Sequence, residues 1–157
     1  MVIRPATLAS TDLDAIVHHR RRMFSDMGYD DETALITMAA NFRPWLQRKM
    51  EAGEYFAWFV LAHDSSIAAG LGLWLMDWPP HMIGAGGRSR GNILNVYTEL
   101  AHRRRGMARA LMKIALEWCA ANQVGVVILH ASLEGRELYE SLGFTPTNEM
   151  RLVPPPS

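Results

Sequence analysis

The chain holds 157 residues, in which sixteen Lys and Arg balance sixteen Asp and Glu for a formal net charge of zero. That length supplies one domain with a full hydrophobic core and is short for two. Neutrality excludes a global field that would draw the molecule onto nucleic acid or an anionic membrane, so any basic patch acts locally.

One cysteine, Cys119, excludes an internal disulfide framework; between Trp118 and Ala120 in a helix-like run it reads as a small buried hydrophobe. The start, MVIRPATLAS, has no charged region followed by an apolar one. No apolar segment approaches roughly 18 uninterrupted residues. The expectation is a soluble, cytoplasmic protein with no membrane partner.

In chain order, VIRPAT reads as a short opening strand and STDLDAIVHHRRRMFSDMG as a helix, with Ser10 or Thr11 as N-cap and Gly28 as its stop. Ile16 and Met23 supply its buried stripe, and His18 to Arg22 form a polar, basic, solvated face. From Asp30 to Ala52 the spacing of Leu35, Ile36, Met38, Phe42, Trp45, Leu46 and Met50 predicts a second helix that Pro44 interrupts or kinks. The two helices suit a lid.

EYFAWFVLAHD and SIAAGLGLWLMD are apolar, strand-forming runs joined by a turn, a hairpin signal, and Gly70 and Gly72 inside the second imply a bulge or a close backbone approach. WPPHMIGAGGRSRG, from Trp78 to Gly91, lacks periodicity and reads as a long loop of the kind that often carries function. Its GAGG is not flanked by strand and helix in the order a nucleotide loop needs.

NILNVYT alternates as a strand and runs directly into ELAHRRRG. Met107, Leu111, Ile114, Ala115 and Trp118 then mark the buried face of a helix, with Arg109, Lys113 and Glu117 on another face. VGVVILHA is a continuous run rich in β-branched residues, as for a central strand covered on both faces. EGRELYESLGF is a short helix ended by Gly143, and EMRLV a last strand before PPPS. No repeat interrupts this order, and residues 1–157 read as one α/β domain of the α+β kind.

The stretch HRRRGMARALM, His102 to Met112, carries the chemistry. A strand, a tight turn holding Gly106 and then a helix aim unsatisfied backbone N–H groups and the positive end of the helix dipole at one point, which suits phosphate. Gly106 lets the backbone approach an anion closely, Ala108 is too small to cover it, and Arg103, Arg104, Arg105 and Arg109 add local charge. The geometry suits a pyrophosphate better than a duplex, and no recognition helix or stacking motif supports nucleic-acid binding.

Arg103, Gly106 and Ala108 form R-x-x-G-x-A, which resembles the Q/R-x-x-G-x-G/A signature of the GCN5-related N-acetyltransferase (GNAT) family. Downstream, LHASLEGRELYESLGF resembles that family's fifth strand followed by a helix containing a tyrosine and then Leu-Gly-Phe. The resemblance spans residues 92–144. It implies a single-domain acyl-CoA N-acyltransferase fold, a mixed, mainly antiparallel sheet flanked by helices. It further implies acetyl-coenzyme A as cosubstrate, no metal, and direct transfer of acetyl to a primary amine of a small molecule or peptide. A homodimer is a common family expectation.

By position, the resemblance assigns Val96, Tyr97 and Thr98 to the acetyl-pantetheine arm through backbone groups. It assigns Arg104, Arg105, Gly106, Met107, Ala108 and Arg109 to the pyrophosphate. Negative charge develops on the carbonyl oxygen during transfer, so a backbone N–H near Val96 or Tyr97 suits an oxyanion donor. Tyr139 matches the family's tyrosine general acid; a phenol with an ordinary pKa of about 10 is protonated at neutral pH and can donate to a thiolate. Ser132 stands where many members have an asparagine that contacts the arm.

The general base departs from the pattern. An acidic base on strand five would fall at Val127 and a glutamate early on strand four near Asn92, and neither residue here takes a proton usefully. Glu99, Asp77, His81, His130 or an ordered water chain are the alternatives. A second reading of the same fold is a non-catalytic coenzyme A module. Acceptor choice falls to the lid helices and the Trp78–Gly91 loop, where Arg88 and Arg90 suit a carboxylate and Trp74, Trp78 and Tyr97 suit an apolar pocket.

Overall fold

The computed structural model describes residues 1–86 and 90–157. Its elements are β1 (Val2–Pro5), α1 (Ser10–Asp26), α2 (Glu32–Glu51), β2 (Tyr55–Leu61), β3 (Ile67–Met76), β4 (Arg90–Thr98), a 3₁₀ turn (Leu100–His102), α3 (Met107–Ala121), β5 (Val126–Leu129) and α4 (Arg136–Ser141). The strands stand in sequence order in one sheet, antiparallel except for the parallel pair β4 and β5. The mixed, mainly antiparallel sheet expected from the sequence is present.

A strand shows alternate side chains to opposite faces, and here each face has its own core. On one, α1 and α2 bury Leu13, Ile16, Phe42 and Leu46 against Tyr55, Ala57 and Phe59. On the other, α3 lays Leu111, Met112, Ala115 and Cys119 on Val60, Ala69, Leu71, Leu73 and Ile93. The α3 stripe is turned slightly from the predicted one, since Met107, Ile114 and Trp118 are only half-buried and Met112 is fully buried. Cys119 is buried as expected, and burial pushes its thiol up to about 11.

Several expectations fail for identifiable reasons. The residue capping α1 is Ala9, with no side-chain bond, rather than Ser10 or Thr11. Asp12 seals that end instead, accepting from the Thr7 N–H at 2.8 Å and from both Arg4 amino groups at 2.8 and 2.9 Å. Helix α2 runs through Pro44; Pro44 and Ala40, whose carbonyl loses the i to i+4 bond, both face solvent, where water replaces the missing donor.

Among the described residues β5 is an edge strand with β4 as its one neighbour, not a central one. Its continuous apolar run reports two half-covered faces, which says nothing about neighbours along the hydrogen-bonding direction. The expected strand EMRLV does not form: residues 144–157 are irregular, and Met150, Leu152 and Val153 are exposed. Pro146 and Pro154 to Pro156 flank the segment and donate no ladder bonds.

Both readings of the β3 glycines hold. Against β4 the register jumps between Gly70 and Gly72, where one extra β4 residue is accommodated. A Cβ on Gly72 would lie 1.9 Å from Tyr55 Oη, and one on Gly70 would lie 2.7 Å from His19 Nδ1. Gly72→Ala is therefore expected to destabilise the fold by about 3 kcal/mol, because buried Tyr55 has nowhere to retreat. Urea unfolding measures this, and a second substitution, Tyr55→Phe, should recover part of the loss by removing the nearest clashing atom.

Candidate functional site

β4 and β5 pair only from Arg90 with Val126 to Ile93 with Leu129, while β4 continues to Thr98. Beyond Ile93 β4 runs on without a β5 partner, because β5 ends at Leu129. The extra β4 residue is Asn95, in the left-handed region at φ 56°; such a bulge bends its strand. Asn tolerates this conformation better than other non-glycine residues. The parted edge holds Val96, Tyr97 and Thr98, with Tyr97 buried and the other two half-buried. The Thr98 carbonyl already accepts from Arg103 Nε at 3.0 Å.

The chain then turns through Arg104 at φ 59° and Gly106 at φ 75° into α3. The first bond closing the helix runs from the Ala110 N–H to the Gly106 carbonyl at 3.0 Å. The N–H groups of Met107, Ala108 and Arg109 precede it and point out of the positive end of the helix. A Cβ on Gly106 would meet nothing within 4 Å, so the space in front of the turn is open.

The four arginines divide their work. Arg104 and Arg105 are exposed. Arg109 reaches across to Ser141 Oγ on α4 at 2.9 Å. Arg103 is committed to the fold: it pairs with Asp26 at the end of α1 and its guanidinium lies 5.6 Å from the centre of the Tyr97 ring.

Tyr139 lies on α4, half-buried against the α3-side core with its ring edge-on to Phe144. Burial raises its pKa, which keeps the phenol protonated through the neutral range. Gly135 makes room for the ring, since a Cβ there would sit 2.8 Å from Tyr139 Cε2. Ser132 Oγ accepts from the Gly135 N–H at 3.1 Å and so braces the turn that carries α4.

The predicted solvated face His18 to Arg22 is solvated only in part: His18 is exposed, while His19 and Arg20 turn inward. His19 is 2 % exposed, with its ring against Phe59 and Tyr97, and burial, with a smaller contribution from His18, lowers its pKa to about 4. Its Nε2 lies 3.7 Å from Glu99 Oε1, but a neutral imidazole makes no ion pair there. Arg20 Nη1 donates to Asn95 Oδ1 at 2.8 Å, and Asn95 Nδ2 donates to Tyr55 Oη at 2.9 Å. The spacing Leu13, Ile16, His19 or Arg20, Met23 is itself a helical stripe, and this signal was obscured by the run of charges.

The candidate bases scatter. Glu99 accepts from His18 Nε2 at 3.0 Å at the end of β4. Asp77 is exposed, His81 Nδ1 accepts from the Ile83 N–H in the loop, and His130 contacts Glu149 at 3.3 Å. Trp74, Trp78 and Tyr97 do not share a pocket: Trp74 packs on Trp45, Trp78 lies under Arg90 at 4.0 Å, and Tyr97 packs on His19. Arg88 lies outside the described residues. Among the described residues no cluster of His, Cys, Asp or Glu suits a metal ion, and no helix is long and apolar enough to cross a membrane.

A bulged fourth strand that runs past the end of a parallel fifth and leads through a glycine turn into a helix belongs to the acyl-coenzyme A N-acyltransferase fold. Residues 25–153 match the model of the acetyltransferase (GNAT) domain, and the chain belongs to that family. It is similar to a GCN5-related N-acetyltransferase from Ralstonia eutropha JMP134, with 36 % identity, 97 % of each chain covered and a TM-score of 0.89. A predicted acetyltransferase from Clostridium acetobutylicum, solved with acetyl-CoA, is 24 % identical over 98 % of this chain and 95 % of its own, with a TM-score of 0.86. Glucosamine-6-phosphate N-acetyltransferase from Arabidopsis thaliana shares the fold at 15 % identity, 97 % and 96 % coverage and a TM-score of 0.68. No curated protein matches the chain.

His19 gives the site a pH signature. Its folded pKa of about 4 lies below the usual 6.5, so the unfolded chain binds the proton more tightly. The stability this confers is complete above pH 6.5 and is lost as pH falls toward 4, by on the order of 3 kcal/mol. Chemical unfolding from pH 7 to 4 is expected to show that slope, and His19→Gln to flatten it.

Proposed function

We propose that this protein transfers the acetyl group of acetyl-coenzyme A directly to a primary amine of a small molecule or peptide. The observation that carries the reading is the continuity of the parted β4 edge with the glycine turn of α3. One surface thus offers an extended strand edge and then converging N–H groups.

The residues present fit the cosubstrate. Open space before Gly106, its positive φ and the N–H groups of Met107 to Arg109 suit a pyrophosphate, with Arg104 and Arg105 adding charge and the Arg109 backbone contributing. Backbone groups of Val96, Tyr97 and Thr98 would hold the pantetheine arm, and Ser132 Oγ retains a hydrogen to donate to it. Bound acetyl-coenzyme A supplies an activated acetyl as its thioester.

The chain's own part is electrostatic and protonic. An N–H of Val96 or Tyr97 stabilises the charge that develops on the carbonyl oxygen. Tyr139 Oη donates a proton to the departing sulfur, a role its raised pKa favours. The proton leaving the amine goes to Glu99, Asp77, His81, His130 or a water chain; Glu99 stands nearest in sequence to the parted edge, one residue past β4.

A second reading, a coenzyme A module without turnover, draws support from Val127 and Asn92, which cannot take that proton. Thiol release from acetyl-coenzyme A with a panel of amines separates the two: sustained amine-dependent release supports transfer, and tight coenzyme A binding with no release supports the module.

Tyr139→Phe is expected to lower kcat about 100-fold while leaving coenzyme A affinity within twofold. An unchanged kcat removes Tyr139 from the chemistry. Gly106→Val should weaken coenzyme A binding more than 100-fold by calorimetry, because a β-branched residue resists φ 75° and its side chain fills the space before the turn. Arg105→Ala should cost less than tenfold; the reverse order would make the stretch an ordinary basic patch.

A further inference from the structure

Arg20 is a cation with no carboxylate partner among the described residues. Its guanidinium is half-buried beneath α2, 4.6 Å from the centre of the Phe42 ring and 5.0 Å from that of Phe24. Of its five N–H donors, one is used on Asn95 Oδ1, and Nε is buried with no partner at all.

No carboxylate of the described residues pairs with it, and the three acids of its own helix, with Glu32 and Glu99, are engaged elsewhere. Asp12 holds Arg4, Asp14 holds Arg43, Asp26 holds Arg103, Glu32 holds Arg21 and Glu99 holds His18. A planar fork between two rings, short of donors' partners, is built for a planar anion such as a carboxylate. Two aromatic rings offset part of the charge, but they satisfy no N–H.

Its position gives that anion a purpose. Asn95 is the residue immediately before Val96, at the β4 bulge two residues past the last one that pairs with β5. Polar atoms without partners are concentrated on this side of the sheet. Asn92 Oδ1 and Trp74 Nε1 are both buried and unsatisfied, and the two residues are register partners on β4 and β3. Buried groups of this kind cost free energy unless something bonds to them.

We propose that Arg20 is a specificity-determining residue that binds a carboxylate of the acceptor, so that the protein acetylates amines carrying a carboxylate, as free amino acids do. This rests on the amine-acetylation reading above and names the class of acceptor.

The test uses the full chain and matched probes with and without the carboxylate: phenylalanine against phenethylamine, leucine against isoamylamine, lysine against cadaverine. In the wild type, kcat/KM by thiol release should favour the carboxylated member of at least one pair by tenfold or more. That ratio should fall toward one in Arg20→Gln, survive in part in Arg20→Lys, and be unchanged in Arg21→Gln, an exposed neighbour paired with Glu32. A bracing role for Arg20 alone would slow both members together and leave the ratio intact.

The proposal is overturned if the neutral amines are equally good substrates, or if the preference persists in Arg20→Gln. If no probe is turned over, the amine reading fails, and calorimetry with coenzyme A present decides the site. Binding of the carboxylated probes that Arg20→Gln abolishes sustains it, and no such binding ends it.

Discussion

The hydrogen bonds of one side chain, Asn95, set the shape on which the rest of the molecule depends. Its backbone occupies the left-handed region, and its amide is held at both ends, accepting from Arg20 and donating to fully buried Tyr55. An extra residue in β4 must sit somewhere, and these two partners fix it here. Tyr55 in turn needs a glycine at position 72, opposite Ala57, because any side chain there would occupy the position of its hydroxyl. The bulge thus reaches from α1 through β4 and β2 to β3.

From that bend the site follows. Past Ile93 the fourth strand outruns the fifth, which leaves its edge there without a strand partner among the described residues. The chain then runs through the arginine-rich turn into α3, whose first N–H groups have no carbonyl within the helix to bond to. Arg103 locks this path by reaching back to Thr98 and Asp26, so the turn is held at both its strand end and α1. On the α4 side, Gly135 and Ser132 seat Tyr139. The proposed transfer needs these three parts in register, and each is fixed by bonds internal to the fold.

Most of this was legible in the sequence where a pattern is local. R-x-x-G-x-A between a strand and a helix, and the tyrosine before Leu-Gly-Phe, are short-range signals, and the family match agrees with them. The β3 glycines announced a close approach without naming Tyr55 or His19 as the neighbours. What stayed hidden is long-range. The edge position of β5 depends on which strands flank it, which no run of apolar residues specifies, and EMRLV had too few partners to become a strand. His19 and Arg20 were lost inside HHRRR, because charge there outweighed the helical spacing that places them inward.

The central claim is that the parted edge and the glycine turn form one continuous binding surface for the acetyl donor. Amide hydrogen exchange with and without acetyl-coenzyme A measures it directly, residue by residue. The account predicts new protection confined to two stretches, Val96 to Thr98 and Arg105 to Arg109, appearing together at the same ligand concentration. Protection of the turn alone, or of neither stretch while the ligand is bound, would contradict it.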